Sequence, residues 1–377
     1  LKVRLYARGR LEPGLAQDLP SNFEVRILRW PLKYFWGQLR LSYEMMVHPP
    51  DILFCPAHTI PLIHPHPTSP IKGEEKREGN SPPSVGGVRG GGRTFTTLHD
   101  VGFEDYPELY DPLSRWYHKF SARLAVRNAY HIFTVSEFSK ERIVENYSDL
   151  SLDPSPSPGE GRLSDKVTVT HLGIEILSPP LADQNDNEKV LEKYDLKKQN
   201  YILYVGRLEP KKNILNIVRA YEMTELEMSL VLAGRKINIG DTERYLAGKP
   251  KIRQKIIFLD YISESDKVAL YHGASIFLFP TLYEGFGLPI LEAQAAGVPV
   301  ITSNTASNAE IAGEGAIIVD PESPYEISQA IKRLLSDDVL KSDKIRRGYE
   351  NVKRFSWEEC ARRTLVKLLT SPQPSPQ

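Results

Sequence analysis

The apolar residues of this chain fall into short β-branched and aromatic runs, and longer stretches with helical spacing separate most of them. Such alternation predicts an α/β fold with parallel sheets. Strands are expected at 2–7, 23–28, 51–56, 94–99, 131–135 and 166–171, then at 201–205, 228–233, 255–259, 275–280, 298–302 and 316–319. The simplest architecture is two Rossmann-like, doubly wound domains facing across a cleft. The expected division is a first domain over 1–174, a polar, proline-bearing linker over 175–198 and a second domain over 199–355. A last helix over 356–370 and a disordered tail over 371–377 would follow.

Three segments break the pattern: 64–93, 151–164 and the tail. Each carries a Pro-x-Pro core, as in "HPHPTSP", "DPSPSPGEGR" and "SPQPSPQ". Their composition cannot bury enough apolar surface to order itself, so they read as flexible inserts. The glycines of "GGVRGGGR" do not make a nucleotide loop, because no strand precedes them and no Gly-Lys-Ser/Thr follows.

Composition narrows the picture. With 377 residues, two domains are expected, and 41% apolar content suffices for sizeable cores. Lys+Arg and Asp+Glu are equal at 48 each, so the bulk charge does not point to nucleic acid. Two distant cysteines, Cys55 and Cys360, form no disulfide framework and fit a cytoplasmic location. Cys55 reads as a small buried residue. No apolar run reaches the ~18 residues of a membrane span.

Chemistry gathers in two places. After the run "YILYV" comes "GRLEPKKN", where Gly206 marks a close turn and Arg207 and Lys212 follow. Ligands of open α/β sheets sit beyond the carboxyl ends of strands. A planar arginine fork with a lysine point charge there suits a diphosphate. The second place is "FPTLYEGFGLPILEAQAAGVPVITSN", with Glu284, Gly285, Phe286, Gly287 and Leu288 at a turn, Pro289 at the start of a helix and Glu292 about one turn further on. A helix start offers amides and partial positive charge to an anion. Carboxylates accept hydrogen bonds from sugar and ribose hydroxyls. Together the two places describe a nucleotide-sugar site.

At this point the sequence resembles glycosyltransferase family 4, the retaining enzymes of the GT-B fold in glycosyl transferases group 1. The likeness spans nearly the whole chain outside the inserts. It rests on Glu-x7-Glu in "EGFGLPILE", on "GRLEPKKN", on "TTLHD", "PAHT" and "TVSEFSK", and on "FSWEECARRTLVKLL", which resembles the last helix that crosses back to the first domain. The resemblance implies that Arg207 and Lys212 hold the diphosphate, that Glu284 contacts the transferred sugar and that Glu292 binds the ribose. Backbone groups of Gly285, Phe286, Gly287 and Leu288 would take sugar and phosphate contacts, and His99 would lie near the donor sugar. His58 is a weaker, acceptor-side candidate. Glu310 follows a strand end, where helix capping explains it equally well.

The implied function is transfer of a hexose, of mannose or glucose type, from a GDP- or UDP-linked donor to a glycan or lipid-linked acceptor in cell-envelope polysaccharide synthesis. No cofactor and no metal are expected, since no Asp-x-Asp motif stands in a convincing setting. A dehydrogenase would need Gly-x-Gly-x-x-Gly after a strand, which no core strand shows. An epimerase or phosphorylase of the same fold remains an alternative, as does a donor-binding but catalytically impaired relative. The last reading draws on the opening "LKVRLYARGRLEPGL", which resembles the family's second strand and begins at Leu1, so the first domain is expected to lack its central strand and the chain to transfer poorly. In "DPLSRWYHKFSARLAVRNAY", Arg115, Lys119, Arg123 and Arg127 form a basic stripe with Trp116, Phe120 and Leu124 beside it. That stripe suits a solvated helix face or contact with an anionic membrane at its inner side.

Overall fold

The computed structural model describes residues 2–10, 19–31, 36–57, 59–62, 93–151, 162–174 and 184–370. Each expected apolar run holds a strand. These are β1 (Val3–Ala7), β2 (Phe23–Ile27), β3 (Ile52–Cys55), β4 (Arg93–Thr97), β5 (His131–Thr134) and β6 (Val167–Val169), then β7 (Tyr201–Val205), β8 (Ser229–Ala233), β9 (Ile256–Leu259), β10 (Ile276–Phe279), β11 (Val300–Ser303) and β12 (Ala316–Val319).

The second half forms one parallel sheet in the order β12-β11-β10-β7-β8-β9. Its central strands are apolar on both faces: Tyr201, Ile202, Leu203 and Tyr204 are fully buried, and so are Ile276, Phe277 and Leu278. Burial on both faces is what a parallel sheet covered by helices requires. The strand order reverses between β7 and β10, and a crevice opens at such a point beyond the strand ends. Both chemical motifs of the second half lie there.

The first half carries its six strands in two parallel sheets, β1-β2 and β3-β4-β5-β6, rather than in one. Among the described residues no strand lies between them to bond both. The β1-β2 pair is also thinly covered, with Val25 and Ile27 exposed.

The helices include α1 (Pro112–Asn128), α2 (Glu137–Tyr147), α3 (Gln184–Lys193), α4 (Glu264–Gly273), α5 (Leu288–Ala295) and α6 (Trp357–Thr370). Helix α1 starts at the Asp111 cap, whose carboxylate accepts from Ser114 N at 2.9 Å, with Pro112 at its first turn. Helix α6 lies against the first half, because a Cβ on Gly173 would sit 2.0 Å from Trp357 N. Among the described residues no helix is long and apolar enough to cross a membrane.

Several expectations need correction. Arg93, counted with the first insert, opens β4 and is buried, with its guanidinium 5.4 Å from the Tyr130 ring centre. The second insert ends too late, since Leu163 and Ser164 begin a short helix and Leu163 is buried. The linker holds α3, whose Leu191 packs into the second core with Leu196 just beyond it; its polar composition hid that apolar contact. The basic stripe of α1 divides. Lys119 pairs with Glu104 at 2.6 Å and Arg115 donates to Phe103 O at 3.2 Å, leaving Arg123 and Arg127 exposed. His58, Leu1 and the tail lie outside the described residues.

Candidate functional site

The site is assembled from the carboxyl ends of β7 and β10. Gly206 follows β7 with φ +150°, and Gly234 follows β8 with φ +142°. The two strand ends press together: Gly206 N donates to Ala233 O at 2.9 Å, and a Cβ on Gly234 would lie 2.0 Å from Gly206 O. Only glycine fits that approach in that backbone region. Arg207 leaves the crossing with 61% of its side chain exposed and its guanidinium 3.5 Å from Glu209 Oε1.

The chain then turns through a 3-10 segment, Pro210–Lys212, into Asn213 at φ +61°. The Asn213 amide locks this turn onto the sheet, donating to Pro280 O at 2.9 Å and Pro321 O at 2.7 Å. Lys212 is thereby carried inward to 8% exposure, and its Nζ pairs with Glu284 Oε1. The sequence reading gave these two residues separate tasks, phosphate and sugar. The fold joins them in one ion pair.

Glu284 sits on the turn after β10. Ser307 Oγ shares its one proton between Glu284 O at 3.0 Å and Phe286 O at 2.9 Å, which fixes the turn. Gly287 has φ +103° and caps α5, with Pro289 in the first turn of the helix. The Phe286 side chain is buried with Val135, Leu291, Ile311 and Phe355. Gly285 meets the first half: a Cβ there would lie 3.0 Å from His99 O and 2.9 Å from Asp100 Cβ. The "TTLHD" and "EGFG" motifs are therefore in contact. His99 itself stands two residues beyond β4, with Nε2 3.1 Å from Pro56 O.

Glu292 lies one turn into α5, on the side facing α4. Its Oε1 accepts from Lys267 Nζ at 2.8 Å and its Oε2 from Tyr271 Oη at 2.9 Å. Lys267 and Tyr271 are four apart on α4, so both reach the same carboxylate. Burial works to lower the Lys267 pKa, but its bonds to Glu264 and Glu292 outweigh that and leave it raised. Each Glu292 oxygen has two acceptor positions, so each can accept a further hydrogen bond.

Sequence reasoning passed over Lys211, Asp100, Lys267 and Tyr271. Lys211 stands next to a predicted residue, yet nothing local shows that it is mostly buried, with Nζ 5.8 Å from the Tyr110 ring centre. Burial lowers its pKa, while Tyr110, Glu209 and Asp100 together leave it raised. The four-residue spacing of Lys267 and Tyr271 was visible but had no partner in view. Cys55 is buried as expected, and burial pushes its thiol up to about 12. Among the described residues no group of three or more His, Cys, Asp or Glu could hold a metal ion.

The arrangement can hold a diphosphate by cations and a helix start, and polyols by two carboxylates. Residues 186–352 match the family described as glycosyl transferases group 1. The O-antigen chain mannosyltransferase B of Escherichia coli is 34% identical over 280 residues, covering 72% of this chain and 69% of that protein. The O-antigen chain mannosyltransferase RfbU of Salmonella typhimurium is 25% identical over 322 residues, covering 85% of this chain and 75% of that protein. The Anabaena protein HepE, solved with UDP and glucose, superposes with a TM-score of 0.66 at 16% identity, covering 98% of this chain and 91% of that one. The fold is thus GT-B, and this chain belongs to the glycosyl transferases group 1 family.

Proposed function

We propose that this glycosyltransferase is a retaining enzyme of family 4. It takes a hexose, of mannose type, from a GDP- or UDP-linked donor and passes it to a glycan or lipid-linked acceptor of a cell-envelope polysaccharide. The mannosyltransferase names of the two sequence relatives support mannose over glucose. The observation that carries the reading is the Lys212–Glu284 pair at the reversal of strand order, with Glu292 one turn into the adjoining helix.

The bond between the anomeric carbon and the diphosphate breaks with its electron pair going to the phosphate oxygen. Arg207, Lys212 and the start of α5 stabilise that growing charge, the preorganised electrostatic effect that usually dominates catalysis. Glu284 and Glu292 hold sugar and ribose hydroxyls. The acceptor oxygen attacks on the face the diphosphate leaves, and its proton passes to the departing phosphate. No carboxylate nucleophile, metal or cofactor is invoked. Peripheral contact with anionic lipid is assigned to Arg123, Arg127, Trp116 and Leu113, which are exposed on α1.

The test is a panel of GDP, UDP, ADP and their sugars, scored by thermal stabilisation and by transfer. Arg207→Ala and Lys212→Ala should each weaken donor binding and turnover. Glu284→Gln should lower transfer more than nucleotide binding, and Glu292→Gln should weaken the free nucleotide as well. Parent-like behaviour of both cation variants, or equal losses for both glutamates, would sink these assignments.

A further inference from the structure

Glu310 had two readings in the sequence, and the structure gives it a third. It caps a helix, but the helix belongs to the other half of the chain. Its Oε1 accepts from Glu137 N at 3.0 Å and its Oε2 from Phe138 N at 3.2 Å, the first two amides of α2. His171 Nε2 lies 3.1 Å from the same Oε1. The third amide, of Ser139, is taken by the α2 cap Ser136 Oγ at 3.1 Å. A helix start leaves its first amides without partners inside the helix and carries partial positive charge. Here a carboxylate from the second half satisfies two of them.

The consequence reaches the donor turn. Ser136 Oγ donates to Gly285 O at 2.7 Å and Ser139 Oγ donates to the same carbonyl at 3.1 Å. Both serines are fully buried. Ser307, three residues before Glu310, holds the carbonyls on either side of Gly285. The turn that carries Glu284 is therefore clamped at three successive carbonyls, two from its own half and one from the other. The Phe138 ring also meets Tyr283 edge-on at 5.6 Å.

We propose that Glu310 is a positioning residue. By docking the start of α2, it brings Ser136 and Ser139 onto Gly285 and sets the Glu284 turn in the geometry that transfer needs. The proposal rests on the reading of Glu284 as a sugar contact. Its own geometry is independent of that reading: a charge-assisted contact joins the halves beside the site.

The experiment uses the full chain with Glu310→Ala, Glu310→Gln and the double variant Ser136→Ala/Ser139→Ala. Hydrogen exchange at the amides of Glu137 and Phe138 reports the latch directly, and small-angle scattering reports how closely the halves sit. Glu310→Ala is expected to speed exchange at both amides and to expand the particle, with Glu310→Gln intermediate. In transfer assays, kcat falls by about tenfold or more while binding of free UDP or GDP stays within about threefold, because closure rather than the nucleotide contact is lost. The serine variant shows the same split with slower exchange than Glu310→Ala. Unchanged exchange at Glu137 and Phe138 in Glu310→Ala overturns the latch, as does an equal loss of nucleotide binding and kcat. If the parent chain transfers from no donor in the panel, the functional reading fails, and the exchange and scattering data still decide the latch.

Discussion

The Lys212–Glu284 pair allows a double-substitution test of the site in the absence of ligand. Lys212→Met removes the cation and Glu284→Gln removes the anion, both at nearly constant volume. The two side chains keep 10% and 16% of their exposure, so the pair is almost dry. Removing one partner of a fully buried pair costs about 3–5 kcal/mol, and an exposed pair contributes about 0–1 kcal/mol. Residual water access places each single substitution between these two figures, at about 2 kcal/mol. The double substitution leaves no uncompensated charge and loses only a hydrogen bond, about 1 kcal/mol. A coupling of about 3 kcal/mol is therefore expected, and each single variant should lower the melting temperature of the second half by about 4–8 °C, at about 2–4 °C per kcal/mol. Calorimetry of the four proteins measures this. A nucleotide titration adds the functional sign: Glu284→Gln releases Lys212 to a diphosphate, so free UDP or GDP should bind at least as well as to the parent. Costs that simply add, or a nucleotide affinity that falls with Glu284→Gln, would refute the reasoning.

Gly234→Ala should be among the most damaging single-methyl changes in the second half. The added carbon would lie 2.0 Å from Gly206 O at a backbone φ of +142°, so the Gly206–Arg207 peptide must move. A loss of about 2–4 kcal/mol in chemical unfolding, together with weaker donor binding, is expected; a parent-like midpoint would contradict the strand-end contact. On α1, Arg123→Glu/Arg127→Glu should abolish binding to anionic vesicles at low salt, whereas Lys119→Glu should disturb the fold through its contact with Glu104. Absence of vesicle binding by the parent removes the membrane reading.

Strand existence was legible in the sequence because it is a local matter. A run such as "YILYV" or "IFLF" can bury itself on both faces only as a covered strand, and the chain states that in consecutive residues. The close turn at Gly206 and the helix start after Gly287 were legible for the same reason, since glycine is required where the backbone leaves the ordinary regions. Exceptions came where composition masked a contact, as at Arg93, Leu163 and Leu191.

What the sequence could not state was which groups meet. Lys212 and Glu284 are 72 residues apart, and they pair only because β7 and β10 are neighbours at the reversal of strand order. Lys267 and Tyr271 find Glu292 because α4 packs beside α5. Glu310 reads as a cap from sequence, but the helix it caps lies 172 residues away from it in the chain. Periodicity reports what each residue needs, burial or a partner. The partner itself is chosen by strand order and helix packing, which depend on the whole chain at once.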